Sequence, residues 1–142
     1  MKISAKTEYA CIAMLELAGS YGSGAPVRIR KIADDHGIPS RFLVQILLQL
    51  KGSGLVTSTR GAAGGYRLIK PPGDVTLGQV MSVIEGHDAE IITNATVNSP
   101  QVGVLLDAWR EVSQTQSSML AGITLADLVE RAGEPCVNMY YI

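Results

Sequence analysis

Apolar residues recur at helical spacing three times in the first 55 residues of the chain. The three segments cover roughly 4–19, 29–36 and 39–52, and turn-forming residues separate them. Proline is tolerated in the first turn of a helix, so the third segment is expected to begin at Pro39 or Ser40. Its predicted inward face carries Phe42, Leu43, Ile46, Leu47 and Leu50, and its outward face carries Arg41, Val44, Gln45 and Leu48.

Two short runs with strand character, 55–59 and 66–69, follow the third helix. The six residues between them are Arg60-Gly61-Ala62-Ala63-Gly64-Gly65. β-branched and aromatic residues favour strands and glycine favours tight turns, so this stretch predicts a β-hairpin with a slender tip. Three helices followed by a hairpin are the element order of a winged helix-turn-helix.

The second half of the chain predicts three more helices. Thr76 and Gln79 have the spacing of a capping box ahead of a helix that ends near Gly86, and Ser99-Pro100 opens the longest helix. Apolar residues in that longest helix repeat every seven positions in two interleaved series, which is typical of a helix that packs along another helix. A short helix follows Thr124. The expected dimerisation residues are Val102, Leu105, Trp109, Val112 and Met119.

These elements predict a mainly α fold with a small β-hairpin. Residues 1–86 are expected to form a winged helix-turn-helix domain and residues 87–98 a linker or sensor loop. Residues 99–142 are expected to supply a dimerisation helix, a short helix and a tail.

The two halves of the chain differ strongly in net charge. Residues 1–70 carry ten Lys or Arg and four acidic residues, a net +6, whereas residues 71–142 carry two basic and nine acidic residues, a net −7. Such an asymmetry predicts that the N-terminal half binds a polyanion. For a helix-turn-helix, the expected polyanion is double-stranded DNA.

Several function classes find no support in the composition. No apolar run approaches the ~20 residues that a membrane helix needs, and the N-terminal segment lacks a secretion signal core. We therefore expect a soluble, cytoplasmic protein with no membrane partner. The chain has neither a Ser/His/Asp order nor a phosphate loop with its lysine, and its only histidines are His36 and His87. The sequence therefore does not indicate an enzyme.

The third helix and the hairpin tip are suited to the two grooves of DNA. The outward face of the helix can enter a major groove. The tip has little side-chain bulk, so its backbone can approach the sugar–phosphate chain while Arg60 reaches the minor groove. Residues beside the start of the second helix are expected at phosphates. The expected DNA contacts are Arg28, Lys31, Ser40, Arg41, Val44, Gln45, Arg60 and Gly61.

The run from Ile32-Ala33 through Phe42-Leu43-Val44-Gln45-Ile46-Leu47 to Arg60-Gly61-Ala62-Ala63-Gly64-Gly65-Tyr66-Arg67-Leu68 resembles a known family. This is the winged-helix Rrf family of the iron–sulfur regulator IscR, the nitric-oxide sensor NsrR and the cysteine-metabolism repressor CymR. The resemblance implies a homodimer with crossing long helices on a near-palindromic operator. It also implies base reading by Arg41, Val44 and Gln45, and minor-groove contact by Arg60. Val44 stands where cluster-bearing members commonly have an acid, which predicts a different operator, since valine cannot accept a hydrogen bond from cytosine.

Cluster-bearing members of that family place three cysteines ahead of the longest helix, whereas residues 87–98 contain none. Thiolates are the usual ligands of such clusters, so we expect neither an iron–sulfur cluster nor another metal. Glu8 and His36 stand where some members recruit ligands, and without the thiolates we expect them to be ordinary helix residues. Cys11 lies among apolar neighbours and is expected to be a buried, inert thiol, whereas Cys136 is expected to be more open to oxidation.

Two functions remain open on the sequence. The first is a DNA-binding repressor or activator. The second is a protein-interaction adaptor with a degenerate winged helix, regulated by a partner protein that binds the acidic half. DNA binding that appears in a gel shift only when cell extract is added would favour the adaptor.

Overall fold

The structure, a computed structural model, describes residues 1–86 and 90–133. Cys136 and the predicted tail beyond Gly133 lie outside the described residues. The helices are α1 (Ala5–Gly19), α2 (Ile29–His36), α3 (Ser40–Gly52), α4 (Leu77–Glu85), α5 (Pro100–Ala121) and α6 (Leu125–Ala132). The strands β1 (Val56–Thr59) and β2 (Gly65–Leu68) pair antiparallel, and short 3₁₀ turns cover Tyr21–Ser23 and Pro72–Asp74. The predicted mainly helical fold with a small hairpin is confirmed.

Side-chain caps fix the start of most helices. The Ser4 hydroxyl accepts a hydrogen bond from the backbone N–H of Thr7, and the Ser99 hydroxyl accepts one from Val102. Thr76 and Gln79 form the predicted capping box, and Thr124 heads a second box. Each cap satisfies amides that the first helical turn leaves unpaired. The predicted starts of α1, α4, α5 and α6 therefore agree with the structure.

One hydrophobic core joins α1, α2, α3, the hairpin, α4 and α6. Its interior positions on α3 follow the predicted spacing, because residues three and four apart share one face of a helix. Truncating any of these buried leucines or isoleucines to alanine is expected to cost about 2–5 kcal/mol. The largest fully buried aliphatic side chains include Met14, Leu17, Ile32, Leu43, Ile46, Leu47, Leu50 and Leu125.

The hairpin is anchored to the helices through its backbone. Val27 and Tyr66 exchange two backbone hydrogen bonds of 2.8 and 2.9 Å, so the segment before α2 pairs with β2 as a third, one-residue strand. A second bridge joins Thr76 to Thr124, where Leu125 N–H donates to the carbonyl oxygen of Val75. Residue 125 and the start of α6 are thereby fixed to the start of α4.

The prediction for Phe42 was wrong. This side chain was expected in the core with Leu43, but it is 39% exposed. It lies at the edge of the apolar face, where its ring packs against Tyr9 of α1 at a centroid distance of 6.1 Å. Helical periodicity locates the buried face of a helix only to within about one residue. At the edge of that face, contacts with the neighbouring helix determine whether a side chain is buried.

Candidate nucleic-acid interface

The outward face of α3 is open to solvent along its whole length. Arg41, Val44 and Gln45 are all exposed, as the sequence predicted, and Ser40 is exposed at the first turn. The opposite face is completely buried against α1 and α2. The core therefore holds α3 through its buried face and leaves its outward face accessible, as a helix that enters a major groove requires.

Arg41 is held in place by an aromatic ring. Its guanidinium carbon lies 5.1 Å from the centroid of Phe42, within the range of a cation–π contact. The same ring contacts Tyr9. Phe42, which was predicted to lie in the core, therefore contacts Arg41 beside the candidate interface.

The hairpin tip is shaped by contacts that exclude side chains. A methyl group on Gly64 would lie 2.2 Å from the carbonyl oxygen of Thr59, and Gly64 itself donates a 3.0 Å backbone hydrogen bond to Gly61. Gly61 has φ +102°, in the region that residues with a side chain rarely adopt. The sequence predicted glycines at this slender tip, and the structure requires them for two different reasons. A side chain on Gly64 would clash with the backbone, whereas Gly61 has a backbone conformation that favours glycine.

Arg60 and Gly61 lie at this tip and are exposed. Arg60 forms no ion pair with any described residue. Its guanidinium is thus free to meet a phosphate or the floor of a narrow minor groove. We call Ser40, Arg41, Val44, Gln45, Arg60 and Gly61 the reading head.

Two further basic residues hold the hairpin in register with the helices. Lys51 at the end of α3 donates a 2.7 Å hydrogen bond to the hydroxyl of Ser58 in β1. Arg67 in β2 donates a 3.2 Å bond to the carbonyl oxygen of Gly24. These roles could not be predicted from the sequence, because both contacts join elements that only the tertiary fold brings together.

The start of α2 is open to an anion. Arg28 occupies the N-cap position and provides no side-chain hydrogen bond to the first turn. The unpaired amides and the helix dipole make such an end attractive to phosphate. Arg28 is itself exposed and forms no ion pair within the described residues.

Lys31, in contrast, is paired with acidic side chains of its own chain. Its ammonium group hydrogen-bonds Asp35 one turn along α2 and lies 3.6 Å from a carboxylate oxygen of Glu16 on α1. The hydrogen bond to Asp35 raises the pKa of Lys31 and lowers that of Asp35. The predicted phosphate contact of Lys31 would therefore compete with two acids of its own chain.

The long helix α5 contains no buried residue in the isolated chain. Its 22 residues extend about 33 Å, and within the chain it packs mainly against α4. Gly78 permits this close packing, because a methyl group there would lie 3.3 Å from the backbone of Leu120. Four of the predicted dimerisation residues are exposed apolar side chains, namely Leu105 (48%), Trp109 (53%), Val112 (65%) and Met119 (66%). Val102, the fifth, is half-buried.

The described residues do not supply the ligands of an iron–sulfur cluster. Cys11 is the one thiol among them, and burial, followed by the charge of Glu85, raises its pKa to about 11. His36 Nε2 lies 2.7 Å from a carboxylate oxygen of Glu16, and Glu8 lies exposed in the first turn of α1. No group of three or more potential metal ligands occurs in residues 1–86 and 90–133.

The hairpin, the three-helix core and the exposed α3 define a winged helix-turn-helix protein of the DNA-binding class. A family model, Rrf2, described as iron-dependent transcriptional regulator, matches residues 3–131. The chain belongs to this family of transcriptional regulators.

Individual relatives agree with this assignment. The HTH-type transcriptional regulator CymR of Bacillus subtilis (strain 168) is 34% identical over 143 residues that span all of both chains. The structure of CymR, the global cysteine regulator of B. subtilis, matches with a TM-score of 0.81 at 30% identity, over 92% of this chain and 98% of that one. The structure of T. potens IscR has a TM-score of 0.76 at 31% identity and covers 99% and 97%. The chain is therefore a DNA-binding transcriptional regulator from a non-enzymatic family.

None of the helices in the described part of the chain has the length and apolar character needed to cross a membrane.

Proposed function

We propose that the protein regulates transcription as a homodimer that binds a near-palindromic DNA operator. The observation that carries the proposal is the reading head. It combines an exposed α3 face with a glycine tip whose Arg60 forms no ion pair with any described residue, and one buried core supports both. In this arrangement α3 lies in the major groove and Arg60 in the adjacent minor groove. Arg28 and the first turn of α2 bind a phosphate, which positions the protein.

Dimerisation is supported by the exposed apolar row of α5. Soluble monomers rarely leave a continuous apolar surface of this kind uncovered. The row repeats every seven residues, and a second copy of α5 can cover it along its length. Two reading heads would then face two half-sites about 10–10.5 base pairs apart, or a multiple of that spacing.

Val44 shapes the base preference in this proposal. Its side chain can pack against the methyl group of thymine but offers no hydrogen-bond acceptor to cytosine. Arg41 and Gln45 beside it can donate to purine edges. We therefore expect half-sites in which the position facing Val44 is a thymine.

The proposal places the protein in the cytoplasm, where a bacterial chromosome is accessible, and without an iron–sulfur cluster. The second point follows from the lack of thiols in residues 87–98 and from the partial burial of Cys11. Protein purified without oxygen should have no charge-transfer absorbance in the visible region. A visible band that disappears on exposure to air would contradict this part of the proposal.

Selection of bound fragments from random DNA tests the main claim. We expect a sequence with approximate two-fold symmetry, bound with strong salt dependence because lysines and arginines release counterions. Fragments without any shared sequence would contradict specific recognition.

The alternative function, an adaptor regulated by a partner protein, predicts a different result. The glycine contacts of the tip and the free Arg60 favour DNA binding by the chain itself. A gel shift with the selected operator should therefore succeed with purified protein alone. A shift that requires cell extract would instead support the adaptor.

A further inference from the structure

A cavity of about 660 Å³ lies beside α4, away from the reading head. Its walls come from the turn that ends α3 (residues 53–55), from Lys70 after β2, from α4 and from the last turns of α5. This volume is within the range of small-molecule sites, which is about 300–1,000 Å³. No residue of the reading head lines it, so the proposed contact of the reading head with DNA does not use this cavity.

The cavity lining carries an excess of positive charge. Lys2 and Lys70 both line it, and neither forms an ion pair with another described residue. Glu85 is the one acidic residue of the lining, and a carboxylate oxygen of Glu85 already accepts a 2.9 Å hydrogen bond from the hydroxyl of Thr7. Ser82 adds a hydroxyl group to the same wall.

We propose that this cavity binds a small organic anion, whose carboxylate or phosphate group is held by Lys2 and Lys70. Two ammonium groups that line one cavity and form no ion pair with a described residue attract an anion, and charge-assisted hydrogen bonds are the stronger kind. The neutral part of the ligand lies against α4, where the hydroxyl of Ser82 offers a further hydrogen bond.

The position of the cavity gives its ligand a route to both functional surfaces. Residues 53–55 and Lys70 lie at the base of the hairpin, and Gln116 and Leu120 belong to the helix proposed to dimerise. A ligand that binds one arrangement of these elements better than another shifts the population towards it. This regulatory role rests on the function proposed above, whereas the binding itself does not.

Calorimetric titration of the purified full chain tests the binding, with succinate and glycerol 3-phosphate as probes at constant ionic strength. Succinamide and glycerol serve as the uncharged controls. We expect saturable binding of at least one anion and none of the neutral compounds. Lys70→Gln should weaken binding at least about tenfold, since a charge-assisted hydrogen bond to the anion is lost. Lys70→Arg should retain it within about threefold, because the charge remains.

Lys6→Gln removes the same charge from the exposed surface of α1, outside the cavity, and should leave anion binding unchanged. Failure of both anions to bind, or equal binding by Lys70→Gln and Lys6→Gln, would overturn the proposal. Binding by a monomeric Val112→Glu variant but not by the wild-type protein would also overturn it, since a second copy would then fill the cavity. No DNA is present in these titrations, so their result is independent of the operator selection.

Discussion

A methyl group placed on Gly65 would lie 2.5 Å from the carbonyl oxygen of Val27. The two residues come this close because Val27 and Tyr66 exchange a pair of backbone hydrogen bonds, which fixes the base of the hairpin to the segment before α2. Gly65 also has φ +149°. The position of the hairpin relative to α3 thus depends on a glycine at residue 65.

Gly65→Ala should therefore lower both stability and DNA affinity. A backbone oxygen cannot move aside as a flexible side chain can, so the strain is expected to cost about 1–3 kcal/mol. The melting temperature should fall by about 5–10 °C for a chain of this size. Ala62→Ser, at the exposed tip, is the control and should melt like the wild type. Equal melting temperatures for Gly65→Ala and the wild type would show that the bridge to Val27 is not a structural constraint.

A charge in the apolar row of α5 should separate the dimer. Val112→Glu places a carboxylate at the centre of the proposed seam, where desolvation without a partner is costly. Sedimentation velocity should then detect a monomer, and operator affinity should fall because the two half-sites no longer bind together. Gln114→Glu introduces the same side chain on the opposite side of α5 and should remain dimeric. Dimerisation of both variants would place the interface elsewhere.

Cys11 should be a slow nucleophile in the folded protein. Burial raises the pKa of its thiol from 9.0 to about 11, and only the thiolate reacts. At pH 8 the thiolate fraction is then about a hundredfold lower than in the unfolded chain. Alkylation by iodoacetamide in a Cys136→Ser background should slow by at least that factor on folding, and urea should abolish the difference. Equal rates in the folded and unfolded protein would contradict the raised pKa of the half-buried Cys11.

Release of Lys31 from its acidic neighbours should strengthen contact with the DNA backbone. Asp35→Asn removes the hydrogen-bonded carboxylate that holds the ammonium group. Non-specific DNA affinity should rise a few-fold, and the salt dependence should steepen by about one counterion. Glu130→Gln, on α6, removes the same charge from a different surface and should change the salt dependence little. An identical response of the two variants would indicate that Lys31 does not meet phosphate.

The regular elements of the fold could be predicted because their signals are local. The capping box of Thr76 and Gln79, the proline after Ser99 and the alternation of faces on α3 each act within a few residues. These signals also placed Arg41, Val44 and Gln45 on an exposed surface. Exposure follows from the helix period once the buried face is known.

The remaining features depend on contacts between distant segments. The pairing of Val27 with Tyr66 joins residues 39 positions apart and leaves no periodic trace in the sequence. The ring contact of Phe42 with Tyr9 and the ion pair of Lys31 with Glu16 likewise join two different helices. A residue type can suggest a phosphate contact, but only the neighbouring side chains determine whether its charge is free.

Operator affinity of Arg60→Ala and Arg41→Ala, measured at fixed salt on the selected DNA, tests the reading head most directly. Each variant should bind about fivefold to a hundredfold more weakly, because a base or groove contact contributes about 1–3 kcal/mol. Lys6→Ala, on the exposed side of α1, should bind like the wild type. Unchanged affinity in both arginine variants would contradict the assignment of α3 and the hairpin tip as the DNA-binding surface.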